Sequence, residues 1–238
     1  ADKMDTLCGI FAVGKKPSGS KDPFALRRAS LGVLRILVEK NINLDLGQLI
    51  DWGIESVWET APKAETKSVL TEYMLDRFSA WYKDQGIATE VFQAVRALGV
   101  TNALDINNRV QAVNVFSSMD EAQALASANK RVSNILAKNG GESVSAEINP
   151  ALLTEDAEKV LAQQVAAKQT EVQPLLAEAK YKEALASLAD LRDAVDAFFD
   201  NVMVMADDEA VKNNRLALLK QLQGLFIAIA DISLLQQG

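Results

Sequence analysis

The chain has 238 residues, 49% of them hydrophobic and 24% charged, with one Cys and no His. This is the balance of a globular protein long enough for one large domain or two smaller ones. It excludes a His general base, a His-ligated metal, an intrachain disulfide and a multi-Cys zinc site. The formal net charge of −7 argues against a surface that binds nucleic acid everywhere.

The chain begins Ala1-Asp-Lys-Met, without an initiator Met or a signal-peptide pattern, as expected of a piece of a longer protein. A Gly/Ser/Lys-rich loop covers residues 14–21. Asp22-Pro23 then reads as an N-cap followed by proline at the first helical position. Phe24, Leu31, Leu34, Leu37 and Val38 give the apolar stripe of a helix reaching about Lys40. A second amphipathic segment covers residues 45–58, although Gly47 and Gly53 each cost about 1 kcal/mol relative to alanine in a helix. Ala61-Pro62-Lys63 breaks the pattern and marks a candidate domain boundary.

Val69, Leu70, Tyr73, Met74, Phe78, Trp81 and Tyr82 next recur at helical spacing, with Gly86 placed for a C-terminal cap. Thr89 caps a short helix ending near Gly99, and Asp105 opens another holding Val110, Val113 and Phe116. Asp120 caps a longer helix that stops at Asn139-Gly140-Gly141. Residues 142–150 read as a packed loop rather than as a short strand through Val144 and Ile148. Three long helices follow over 155–179, 181–205 and 207–236, and Pro174 is expected to kink or split the first. The class is all-α, an antiparallel helical bundle with short connections. No apolar run reaches the roughly 20 residues of a membrane span.

Little in this pattern suggests catalysis. Gly14-Lys15-Lys16-Pro17-Ser18-Gly19 is basic and glycine-flanked, open to phosphate contact or to a plain surface loop, but it lacks the strand that precedes a P-loop. Asp207-Asp208-Glu209, and Glu155-Asp156 with Glu158, fall at helix starts, where acidic groups complement the helix dipole. Cys8 lies among Leu7, Ile10 and Phe11 and reads as a small core residue. No catalytic residue and no metal ligand is assigned.

The charge is unevenly spread. Residues 1–45 carry 8 basic and 5 acidic groups, and residues 129–138 carry 3 basic and none acidic. On a helix, Ala124, Leu125, Ala128, Val132, Ile135 and Leu136 form a buried stripe, whereas Lys130, Arg131, Asn134 and Lys138 gather on another face. That face suits single-stranded nucleic acid, cations holding phosphates and an amide reading a base edge, although spacing alone favours a plain solvated helix face. Arg27, Arg28 and Arg35 form a second basic patch, open to internal ion pairs or RNA contact. Lys212, Asn213 and Arg215, beside the acidic run 207–209, divide between the same two roles. Tyr181 follows Lys180 at a helix junction and reads as an exposed aromatic able to stack on a base, while Tyr73, Trp81 and Tyr82 read as core.

The run Asn129-Lys-Arg-Val-Ser-Asn-Ile-Leu-Ala-Lys138 resembles the first helix of the DALR-type anticodon-binding domain, which arginyl-tRNA synthetases also use. Residues 189–209, then Arg215-Leu-Ala-Leu-Leu219 and Ala230-Asp-Ile-Ser-Leu-Leu235, resemble the rest of that domain. Asp2-Lys-Met-Asp-Thr-Leu7 and Lys21-Asp-Pro-Phe-Ala-Leu-Arg-Arg28 resemble the β-subunit family of two-chain bacterial glycyl-tRNA synthetases, and the likeness runs along essentially the whole chain. The resemblance implies the C-terminal part of a much longer β chain. Residues 1–60 would end an HD-type helical domain, and residues 61–238 would form the anticodon-binding bundle, with a DALR-like core over about 120–238. It implies glycine tRNA as partner, an α2β2 tetramer, a cytoplasmic location, and no DNA or membrane partner. Glycylation with ATP and Mg would occur at the α subunit, this portion being non-catalytic. The alternative is a helical scaffold for subunit assembly without anticodon contact.

Overall fold

The computed structural model describes residues 1–17, 21–57 and 63–235. The first helices are α1 (Asp2–Ala12), α2 (Leu26–Glu39), α3 (Leu46–Val57) and α4 (Lys63–Asp84). Their apolar faces meet: Leu7 and Phe11, Leu26 and Leu34, Ile50 and Ile54, and Leu70, Met74 and Phe78 are all buried. α1 packs on the other three, and α4 also packs on α2 and α3. The expected boundary at Ala61-Pro62 lies outside the described residues. The helix beyond it, α4, belongs to the same compact unit as α1 to α3 because its aromatic stripe completes their core.

One of these helices starts later than its sequence suggests. Ala25 takes a left-handed φ of 55°, so α2 opens at Leu26 and Pro23 stays in the preceding turn. Asp22 still satisfies the helix start, its carboxylate accepting from the backbone N–H groups of Leu26 (2.8 Å) and Arg27 (3.0 Å). Gly53 inside α3 has a packing reason: a Cβ there would lie 2.5 Å from Cys8 Sγ of α1. At the end of α4, Gly86 adopts φ 79° and Ile87 N–H closes back on the Tyr82 carbonyl at 3.1 Å, the expected cap.

α5 (Thr89–Arg96) and α6 (Ala103–Phe116) follow, and the division between the two compact units falls inside both. The first unit holds residues 1–92 and 99–108, the second 93–98 and 109–238. The side chain that opens α6 is Asn102, which accepts from Asp105 N–H at 3.0 Å, rather than Asp105 itself.

The second unit holds α7 (Ala122–Lys138), α8 (Asp156–Ala177), α9 (Tyr181–Ala189), α10 (Arg192–Asn201) and α11 (Glu209–Ile227). α11 packs on α7, α8 and α9, and α10 packs between α7 and α8. Leu125, Val132, Leu161, Val165, Leu188, Phe198, Leu219, Leu222 and Phe226 fill the interior. α7 opens after Glu121, without a capping bond from Asp120. α8 is not split at Pro174, which lies in its last turn, where little ladder remains to lose.

The helix expected over 181–205 is broken. Asp190 and Leu191 N–H bond to the carbonyls of Ser187 and Leu188, a tight step that buries Leu191 and ends α9. α11 also stops early, where Arg109 Nη1 donates to the carbonyls of Ala228 (2.8 Å) and Ile229 (2.9 Å). The loop before α8, expected to be packed, is largely exposed and is tethered to α11 by hydrogen bonds, Asn214 pairing with both backbone groups of Asn149. Among the described residues no strand forms beyond one isolated bridge, Asp45 to Asn102, and no helix is long and apolar enough to cross a membrane.

Candidate nucleic-acid interface

Helix α7 turns Lys130, Arg131, Asn134 and Lys138 to solvent while Leu125, Ala128, Val132 and Leu136 are buried. At about 100° per residue these four polar positions fall within an arc of about 100°. Nothing else in the fold claims Lys130, Asn134 or Lys138: among the described residues their side chains make no hydrogen bond or ion pair. Arg131 lies over the Phe199 ring of α10, its guanidinium carbon 4.2 Å from the centroid. This cation–π contact holds the Arg131 stem in place and leaves its donors facing outward. Asn129 is separate from this face: it is buried and donates to the Leu125 carbonyl at 3.0 Å.

Past α10 the chain leaves the helix at an extended Val202, bends at Val204 and Met205, and alternates in burial. Val202 and Val204 are inside, whereas Met203 is 75% and Met205 47% exposed. Sequence reading missed this pair and Phe199. The signal was the period-two Val-Met-Val-Met run, in which only one face can be core.

Two expected contacts turn inward instead. Arg215 is buried (5% exposed) and spends its guanidinium on the protein. Its Nε donates to Glu158 at 3.1 Å, Nη2 to Thr154 at 3.0 Å, and Nη1 to the Met203 carbonyl at 2.8 Å. Glu158, fully buried, also accepts from the N–H groups of Thr154 and Glu155, the capping role expected of this cluster. Tyr181 is likewise buried rather than exposed. The Arg109 guanidinium sits 4.3 Å over its ring, and Nη2 donates to its hydroxyl at 3.0 Å. Neither residue had a buried partner nearby in sequence, so only the tertiary fold reveals these roles.

Of the remaining candidates, Lys212 pairs with Glu209 at 3.1 Å one turn away, and Asn213 beside it is exposed. Asp208, not a metal, receives the N–H groups of Ala210 and Val211. In the first unit Arg35 pairs with Glu39 at 2.8 Å, Arg27 is half-buried, and Arg28 is exposed. Burial pushes the Cys8 thiol up to about 11, with Asp5 adding to it, so this cysteine is a neutral core residue. Tyr82 is buried and donates to Asn107, as its core reading requires. Among the described residues no group of three acidic or Cys side chains converges to hold a metal.

Comparison with known proteins matches residues 1–97 to the family model of the glycyl-tRNA synthetase beta subunit and residues 125–232 to that of the DALR anticodon binding domain. The chain is 56% identical over its whole length to the glycine–tRNA ligase beta subunit of Pseudoalteromonas translucida. It is 55% identical to that of Vibrio atlanticus over the whole chain, and 53% identical to that of Marinobacter nauticus over 99% of it. It spans about a third of the length of these relatives, 34% in each case.

Proposed function

The chain belongs to the glycyl-tRNA synthetase beta-subunit family, and from that premise we propose that its second unit binds the anticodon arm of glycine tRNA. The observation that carries the reading is the exposed, acid-free face of α7, whose Lys130, Asn134 and Lys138 have no partner in the fold. Folding gains little from three cations on one side of a helix, whereas phosphates would. Asn134 supplies a donor and an acceptor for a base edge, and exposed Met203 supplies apolar surface for an unstacked base.

In this reading the chain is the C-terminal portion of its subunit, with the first unit, which extends past the expected end at residue 60, closing an HD-type helical domain. It performs no bond-making step. The α subunit of an α2β2 assembly, using ATP and Mg, joins glycine to the tRNA in the cytoplasm, and this portion holds the anticodon so that the acceptor end reaches that site. Replacing Lys130, Arg131 and Lys138 together with Glu is expected to weaken binding of glycine tRNA by more than ~10-fold at about 0.1 M salt. The log–log salt slope should fall by about 2 to 3, one for each lost phosphate contact. Unchanged affinity and slope would overturn the assignment.

The scaffold reading draws on a different observation, the exposure of Trp52 and Ile36 in the first unit, which suits a protein partner. Anticodon dependence separates the two readings: a scaffold binds tRNA with an altered anticodon as well as it binds the native one.

A further inference from the structure

The first unit carries its own collection of unspent cations. Lys15 and Lys16 follow α1, Lys21 precedes α2, Arg28 sits in the first turn of α2, and Lys3 sits in the first turn of α1. All five are exposed, and among the described residues none makes a side-chain hydrogen bond or ion pair. Cations elsewhere are mostly claimed: Arg35 by Glu39, Lys67 by Asp51, Lys168 by Glu171 and Asp190, and Lys180 by Glu178.

The five converge on one side chain. Phe24 is 44% exposed and lines two surface hollows. The first, of about 320 Å³, is otherwise walled by Lys15, Lys16, Pro17, Lys21 and Pro23. The second, of about 340 Å³, brings Lys3 and Arg28 to the same ring. The acidic groups nearby include Asp2, on the wall of the second hollow, Glu65, which lines an adjoining hollow with Lys16, and Asp22, whose carboxylate is already taken by the N–H groups of Leu26 and Arg27. Arg28 at the start of a helix opposes the helix dipole, so its position does nothing for folding.

We propose that this patch is a second RNA-binding site, in which the lysines and Arg28 hold backbone phosphates and Phe24 offers its ring to a base or ribose. Cations interleaved with an exposed aromatic ring are what a flexible nucleic-acid strand recognises, each cation releasing a counterion and the ring stacking without regard to sequence. An acidic peptide would use the cations and leave the ring in water. The partner follows from the tRNA reading given above, but the residues are independent of α7. The patch contacts tRNA outside the anticodon stem-loop.

The test compares wild type, K15E/K16E/K21E, F24A and K130E/R131E/K138E, each checked by circular dichroism. Every protein is titrated with whole glycine tRNA and with its isolated anticodon stem-loop. The patch variant is expected to lose about 10-fold or more for whole tRNA, to shed about 2 to 3 from the salt slope, and to bind the stem-loop as wild type does. F24A is expected to lose ~5-fold or more for whole tRNA, the lower end of what a stacked base contributes. Wild-type affinity of the patch variant for whole tRNA would overturn the proposal and leave the α7 reading standing. Loss in the patch variant beside an unaffected α7 variant would overturn the α7 reading alone. Loss in the lysine variant with none in F24A would overturn the stacking role of Phe24 and leave a site that holds phosphates alone. Failure of wild type to bind whole tRNA would overturn both.

Discussion

At Gly53 the distance of 2.5 Å from a built Cβ to Cys8 Sγ means that one methyl group would force α1 and α3 apart. Gly53→Ala should therefore destabilise the chain by about 1–2 kcal/mol in urea unfolding, overpacking outweighing the gain in helix propensity. Cys8→Ala removes the clashing sulfur, so G53A should cost markedly less in that background, and equal cost in both would contradict the packing account. The thiol carries a second prediction. Because burial holds its pKa at about 11, above the ordinary 9.0, the neutral thiol is favoured in the fold. The stability this contributes is complete below pH 9 and is lost as the pH climbs toward 11. At pH 8 a thiol reagent should leave the native chain unlabelled and take up one equivalent on unfolding; rapid native labelling would refute the burial of Cys8.

Between elements, the Glu158–Arg215 pair ties the start of α8 to α11 and, through the Met203 carbonyl, fixes the segment that exposes Met203. Arg215→Met would leave a fully buried carboxylate unpaired and should cost about 3–5 kcal/mol, most of which an added Glu158→Leu should recover. If the single change cost under ~1 kcal/mol in denaturant titration, the latch would not be structural. This scale also shows where sequence stopped being informative. Periodicity carried the helices and their apolar faces, because burial of a stripe is a local demand. It could not separate α9 from α10, since a tight step at Asp190 preserves the spacing and is marked only by Lys168, whose ammonium reaches Asp190 at 2.8 Å from α8. Nor could it tell Arg215 from Lys212: both follow an acidic run, and only the arrival of Glu158 from another helix buries one of them.

For the whole molecule, the net charge of −7 is compatible with a basic face on α7, because residues 129–138 hold three cations and no acidic group while the excess of acidic side chains lies elsewhere. The α7 face was legible because a ten-residue stretch without an acidic group is visible in the letters. Phe199 beneath Arg131, and the gathering of Lys3, Lys15, Lys16, Lys21 and Arg28 around Phe24, needed the fold to bring separate segments together. The proposed function requires that this chain read an anticodon. The most direct measurement is competitive binding of native glycine tRNA against the same tRNA with its anticodon replaced, for wild type and for K130E/R131E/K138E. Wild type is expected to prefer the native anticodon by about 10-fold or more, the loss expected when a read base leaves its partner unpaired, and the variant to lose this preference. Equal affinity of wild type for the two tRNAs would contradict it.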